Sequence, residues 1–466
     1  MSMETSPTDN DFDTRTAHFQ AWLKTTGVIV SDKIKLADLR HCSAGRAVIA
    51  TQDISTDEEL FSILRSSILT AQTSDLPAAV KARLDDPWLS LIVAMIYEYV
   101  QGNDSKWKPY FDVLPEDFDT PMYWSDQELE LLKGSAVVNK IGKKNADKAF
   151  TEQIVPLVRS HPELLANTNL SDDEILSLCH RMGSTIMAYA FDLERTSTSN
   201  PSRTEQDGWE EDSSDEEILP KGMVPLADML NADADRNNAK LFHEEDKVVM
   251  KTIQDVKAGE ELFNDYGPLP SADVVRRYGY VTENYAKYDV VEISLDTITA
   301  AAREQLKLQD KDVEARIEYL DEIGILDDGY DLARADSEDG QFSDELCALL
   351  NTLTMPTEEF EKMRKKEKMP KPQLSRNSLE LLYAVLVRRR SLYPPSGPSD
   401  LSGDSEKTAR RRKMAHQVIV GEKRVLHEAA AIIQDQLSEG DKKRKADTFE
   451  EEAEALRTST KEARME

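Results

Sequence analysis

Cysteine is scarce: the 466-residue chain holds three, Cys42, Cys179 and Cys347, far apart and in no CxxC or Cys/His ligand spacing. That excludes a disulfide framework, fits a reducing compartment and leaves no sign of structural zinc. Long apolar runs are lacking too. The best, WLSLIVAMIYEYV at Trp88–Val100, is well short of the roughly 20 residues needed to cross a bilayer. The N-terminal MSMETSPTDNDFD has neither the basic nor the apolar region of a secretory signal. A soluble intracellular protein is expected, with no membrane partner. The seven histidines are scattered, with no HxxxH pair and no persuasive Ser/His/Asp order, which argues against a His-based hydrolase or metalloprotease. Positive charge is short as well: 58 Lys and Arg stand against 88 Asp and Glu, a net charge of −30. Such a surface repels phosphate backbones, so direct nucleic-acid binding is not expected. It attracts basic proteins, unless the acidity serves solubility alone.

What is present divides the chain. Residues 28–70 alternate apolar and polar positions between Gly, Ser, Thr and Asp punctuation, as short strands do. From about Leu76 to Met182 the spacing turns helical, and SDDEILSLCHRM places Ser171 three residues before Glu174, a capping-box signature. Strand signals return between Lys221 and Val281, in KVVMKTI and DVKAGEELFNDYG. After Thr282 the pattern is helical again, as in SLELLYAVLVRRRSLY. The expectation is α+β: residues 1–19 disordered, 20–75 and 183–281 two parts of one β-rich domain, 76–182 a helical insertion within it, 282–437 an all-helical domain and 438–466 a charged tail. Residues 194–220 include EQDGWEEDSSDEE and are expected to form a disordered acidic loop.

The chemistry-bearing candidates are individually ordinary. VPLADMLNADADRNNA runs from an apolar stretch into Asn, Asp and Arg, where Asn231 by itself reads as an Asx turn. Tyr266 follows the strand-like GEELFND, and Tyr278 lies in RRYGYV; buried tyrosines are more often packed side chains than catalysts. SAGRAV is one Gly-centred turn and not a GxGxxG phosphate loop.

The order of the pieces is specific. AGRAVIATQDISTDEELF, DSKWKPYFDVLP, STIMAYAFD, VPLADMLNAD, AGEELFNDYG and RRYGYV resemble, in sequence and spacing, the SET-domain protein lysine methyltransferases. Within these the chain is similar to the plant Rubisco large-subunit methyltransferase group, and GMVPLADMLNADADRNNA looks closest to the fungal enzymes that modify large-subunit ribosomal proteins. The resemblance implies a SET domain split by a helical insertion, then a helical substrate-binding domain. It implies S-adenosylmethionine as cofactor, with Ala44, Gly45, Arg46, Asn231, Ala232, Tyr266 and Tyr278 at the cofactor and no metal. It places Tyr189, Asp228 and Tyr278 along the lysine channel and makes Tyr266 the catalytic tyrosine. One position departs: the family's usual Asn-His is Asn231-Ala232 here, so an imidazole contact to the cofactor is replaced or missing.

These residue types suit methyl transfer to lysine. A free lysine, pKa about 10.4, is protonated at neutral pH and cannot attack. An apolar, tyrosine-lined channel lowers that value, and aromatic faces favour the sulfonium. A basic protein substrate is therefore expected, a ribosomal protein in particular, acted on by a monomer. Two rivals stand beside it: a catalytically silent adaptor, motivated by Ala232, and an acidic chaperone for basic proteins. The clusters Arg410–Lys413 and Lys442–Lys445 read either as nuclear-import signals or as solvated basic faces; a nuclear location is expected, with cytoplasm as the alternative.

Overall fold

Strands form on both sides of the helical block and pair across it. In the computed structural model, residues 9–438 are described except 43, 85, 167, 194–218, 338–339 and 396–404, together with Glu454. The chain divides into two units, the first built from residues 1–118 and 142–268, the second from 119–141 and everything from Leu269 onward.

The first unit carries β1 (Ile29–Val30), β2 (Ile34–Asp38), β3 (Arg46–Ala50) and β4 (Glu59–Leu64) before the helical block. After it come β5 (Ala190–Asp192), β6 (Lys221–Met223), β7 (Asn231–Ala232), β8 (Ala239–His243), β9 (Lys247–Thr252) and β10 (Glu261–Asn264). One sheet has the order β1-β4-β9-β8 and another β2-β3-β10-β7, so each joins early and late segments; β5 and β6 form a separate pair. The expected alternation is not kept in the two central strands: β9 buries Val248, Val249 and Met250 in succession, and β4 buries Leu60, Phe61 and Ile63, because both of their faces are covered. At β6, Gly222 is required because a Cβ there would lie 2.7 Å from both Ile68 Cγ2 and Leu193 Cδ1.

Two helices cover this core. Pro87–Val100 starts with Asp86 accepting from the Leu89 amide and Pro87 in the first turn, where a missing N–H costs nothing. Its one buried charge, Glu98, accepts from the Asp75 amide and the Ser105 hydroxyl. Asp172–Tyr189 begins with the expected capping box between Ser171 and Glu174.

The N-terminus corrects the expectation of disorder through residue 19. Asp9–Thr25 is a helix whose Phe19 and Leu23 enter the core, and Phe12 lies between the guanidinium groups of Arg40 and Arg46, 4.0 and 3.9 Å from its ring centroid. Those partners are remote in sequence, so no local pattern advertised them. The acidic segment expected at 194–220 lies outside the described residues up to 218, and the 438–466 tail lies outside them apart from Ser438 and Glu454.

The second unit is helical as expected, except for an antiparallel ribbon of β11 (Val291–Ser294) and β12 (Gly329–Leu332), whose Val291, Ile293, Tyr330 and Leu332 enter the core. The 32-residue helix Glu406–Leu437 runs along this core, burying Ile419, Val425, Leu426 and Ile433. Arg411, within the basic cluster at 410–413, is 5% exposed and binds Glu128 at 2.9 Å and Asp119 at 3.3 Å. That cluster is thus partly a structural anchor; Lys442–Lys445 lies outside the described residues. Among the described residues, no helix is long and apolar enough to cross a membrane.

Candidate active site

The apolar run at 224–230 is buried throughout and contains an uncommon backbone choice. Leu226 adopts φ +80°, a region that costs a branched residue about 1–3 kcal/mol. The turn it starts, Ala227–Met229, drives the Asp228 carboxyl inward. Tyr110, on the one-turn helix Lys108–Phe111, donates its hydroxyl proton to Asp228 Oδ2, while Oδ1 is buried with no hydrogen-bond partner among the described residues. Burial raises the Asp228 pKa to about 7, against the pull of Tyr110 and nearby backbone N–H groups. Burial, and then the Asp228 charge, push Tyr110 well above its ordinary range, and the same two causes bring Tyr189 to about 12. Tyr110, Asp228 and Tyr189 therefore form one cluster. Tyr110 lies in DSKWKPYFDVLP, where nothing local in the sequence points to its partner.

Three strand ends converge in the same unit. β3 and β10 are antiparallel, with Glu261 opposite Ile49 and Leu262 opposite Val48, so the start of β3 lies beside the end of β10. β7 runs parallel to β10 on its other edge, with Asn231 opposite Phe263 and Ala232 opposite Asn264. Ala44, Gly45, Arg46, Asn231, Ala232 and Tyr266 are thereby gathered at one end of the sheet. Leu39 closes the turn before β3, its N–H donating to Gly45 O at 2.7 Å and its carbonyl accepting from Ala44 N at 3.1 Å. Gly45 has φ +65°, and a Cβ there would meet nothing within 4 Å. The Arg46 side chain turns away from a ligand role: Nε donates to Thr16 Oγ1 at 3.0 Å and Nη1 to the Val113 carbonyl at 3.0 Å. After β10, Asp265 accepts from the Gly267 amide at 2.9 Å, a tight turn that sets the half-buried Tyr266.

Asn231 does not form the solitary Asx turn that its surroundings favoured. Its Nδ2 donates to Glu261 Oε1 at 2.7 Å, and its Oδ1 accepts from none of the described residues. The Asx turn belongs to Asp233, whose Oδ1 accepts from the amides of Asp235 and Arg236. Tyr278 is in the second unit, on the last turn of Ser271–Tyr278, where Gly279 at φ +72° ends the helix. Among the described residues no cluster of His, Cys, Asp and Glu could hold a metal ion.

These groups fit an S-adenosyl donor by their own chemistry. An amide oxygen at Asn231 that no described residue engages suits an ammonium, and the open face of Gly45 lets backbone approach a ligand closely. Residues 45–267 match the SET domain family, and residues 307–426 the Rubisco LSMT substrate-binding family. Ribosomal lysine N-methyltransferase 4 of Saccharomyces cerevisiae is 36% identical over 368 residues, spanning 74% of this chain and 72% of its own length. N-lysine methyltransferase setd6 of Xenopus tropicalis is 29% identical over 361 residues, spanning 73% and 74%. The solved structure of Rubisco LSMT bound to AdoMet aligns with a TM-score of 0.64 at 18% identity, over 94% of this chain and 99% of that one, a likeness of fold. Sheet topology, strand-end convergence and these matches agree: the chain belongs to the SET-domain protein-lysine N-methyltransferases, whose methyl donor is S-adenosylmethionine.

Proposed function

We propose that the acceptor is a lysine of a large-subunit ribosomal protein. The observation that carries this reading is the 36% identity to the yeast protein named as a ribosomal lysine methyltransferase, spread over 74% of the chain. The net charge of −30 supports it, because a strongly acidic enzyme steers basic clients toward encounter. Nuclear residence remains part of the proposal, resting on Lys442–Lys445 rather than on the anchored cluster at 410–413.

In this reading, the bound donor supplies an electrophilic methyl carbon next to a sulfonium. Asn231 Oδ1 and the Ala44–Arg46 backbone hold its amino-acid end. The entering lysine meets Asp228, whose unpartnered Oδ1 accepts a hydrogen bond from the ammonium. The proton must leave before attack. Asp228, near 7, narrows the gap to a lysine of pKa about 10.4 by roughly three units relative to an ordinary aspartate. Tyr266 orients the amine; alignment at about 3–3.5 Å supplies most of the acceleration. Tyr189 contributes an aromatic wall.

The test is label transfer from S-adenosylmethionine to undermethylated fungal ribosomal proteins, with Tyr266→Phe in parallel. One discrete labelled band, lost in the mutant and mapped to a lysine by mass spectrometry, is expected. Cofactor binding without any labelled ribosomal band would sink the client assignment while leaving the enzyme class standing.

A further inference from the structure

The Asn231 amide is fixed by one contact. Its Nδ2 donates to Glu261 Oε1 at 2.7 Å, and no second hydrogen bond from the described residues holds it. The strand register explains the reach. Asn231 lies opposite Phe263 on β7–β10, and Glu261, two residues earlier, projects from the same face of β10. Glu261 is itself held. Asn238 is buried and donates its Nδ2 to the Glu261 carbonyl at 2.9 Å, while its Oδ1 accepts from the Phe263 amide at 2.8 Å. The Asn238 side chain thus acts as an extra rung on β10 and locks the backbone that carries Glu261.

This matters because the next residue is Ala232. A methyl group has no hydrogen bond to offer ligand or neighbour, so no side chain at 232 helps to hold the loop's polar groups. An unanchored asparagine can present either end of its amide. A carboxylate accepts only from the NH2 end, which leaves the oxygen for an incoming ammonium.

We propose that Glu261 is a positioning residue: it holds the Asn231 amide so that Oδ1 faces the ammonium of S-adenosylmethionine. This rests on Asn231 being the cofactor's amide, which the test separates. Glu261 acts through Asn231 and touches no ligand itself. It is half-buried, and its burial is partly answered by the Asn231 hydrogen bond and the charge of Arg236.

The experiment is a double-mutant cycle on the full chain, reading the Kd of S-adenosylmethionine by calorimetry. Asn231→Ala is expected to weaken binding about 10- to 100-fold, the value of a hydrogen bond to a charged group. Glu261→Ala is expected to weaken it about 3- to 10-fold in the native background and by less than 2-fold when Asn231 is already alanine. Glu261→Gln keeps an acceptor but adds an NH2 that can pair with the flipped amide, so its Kd should lie between native and Glu261→Ala. At saturating cofactor, Glu261→Ala should retain kcat while the KM for cofactor rises. Equal losses in both backgrounds, or none from Glu261→Ala, would overturn the inference and leave the Asn231 assignment intact. Unchanged binding in Asn231→Ala would overturn both. If Glu261→Ala does not fold, the exchanged pair decides. Asn231→Asp sets two carboxylates together and should weaken binding, and adding Glu261→Gln should recover part of the loss. No recovery would overturn the pairing.

Discussion

Tyr110 and Asp228, 118 residues apart in sequence, share a hydrogen bond inside the first unit, with both side chains sealed from solvent. Tyr110 holds down the pKa of an aspartate that burial has raised to about 7. If the ionised form anchors the lysine ammonium, KM for the protein substrate should fall as pH rises through about 7. Tyr110→Phe removes a stabilising donor, so this limb should move to higher pH. The same variant should lose about 1–3 kcal/mol of stability, since a buried acceptor loses its partner. Asp228→Asn should lack the limb altogether. Steady-state kinetics between pH 6 and 9 test it, and a limb that survives in Asp228→Asn would assign the titration elsewhere.

Tyr266 is set by the turn in which Asp265 accepts from the Gly267 amide. Tyr266→Phe keeps the ring and removes the hydroxyl. A loss of alignment predicts about a 10²-fold fall in kcat. If Tyr266 orients the amine as proposed, the calorimetric Kd for cofactor should change by less than about 3-fold. A comparable loss in both quantities would move Tyr266 from the transfer step to cofactor binding.

The sheet, the split by helices and the capping box at Ser171 were legible in the sequence because each rests on short-range spacing. Asn231, Tyr266 and the Gly45 turn stood out as candidates through their order along the chain, and the strand register brings them to one end of a sheet. Their partners were not legible. Glu261 reads as one more acidic residue of a strand until β7 and β10 are placed in register. The N-terminal helix failed to announce itself because its anchor is a contact between Phe12 and two arginines more than a turn of sequence away. Arg411 looked like part of an exposed basic cluster and is instead buried against Asp119 and Glu128.

The Phe12 contact carries its own prediction. The ring lies between Arg40 and Arg46, which flank the Gly45 turn. Phe12→Ala removes two cation–π contacts, worth about 0.5–2 kcal/mol each, and should loosen both helix and turn together. Hydrogen exchange should rise across residues 9–25 and 39–46, and cofactor affinity should drop several-fold. Faster exchange confined to the helix would show that the turn stands without it.

The second unit holds a buried carboxyl of its own that titrates high. Glu422, on the Glu406–Leu437 helix, accepts from Ser135 Oγ and from the Tyr393 hydroxyl, each at 2.5 Å. Burial raises its pKa from 4.5 to about 7, with Ser135, Tyr393 and Arg389 pulling it down and Asp289 pushing it up. The sign follows from proton counting. Between 4.5 and about 7 the unfolded chain has already released this proton while the folded unit retains it. Rising pH across that window therefore favours unfolding, by on the order of 3 kcal/mol in total, and the penalty levels off above it. Glu422→Gln keeps an acceptor but cannot ionise. Its stability relative to the native protein should be lowest near pH 5 and rise toward pH 8. Urea denaturation at the two pH values measures the difference. A constant offset between variant and native protein would mean that Glu422 is ionised in the folded unit throughout.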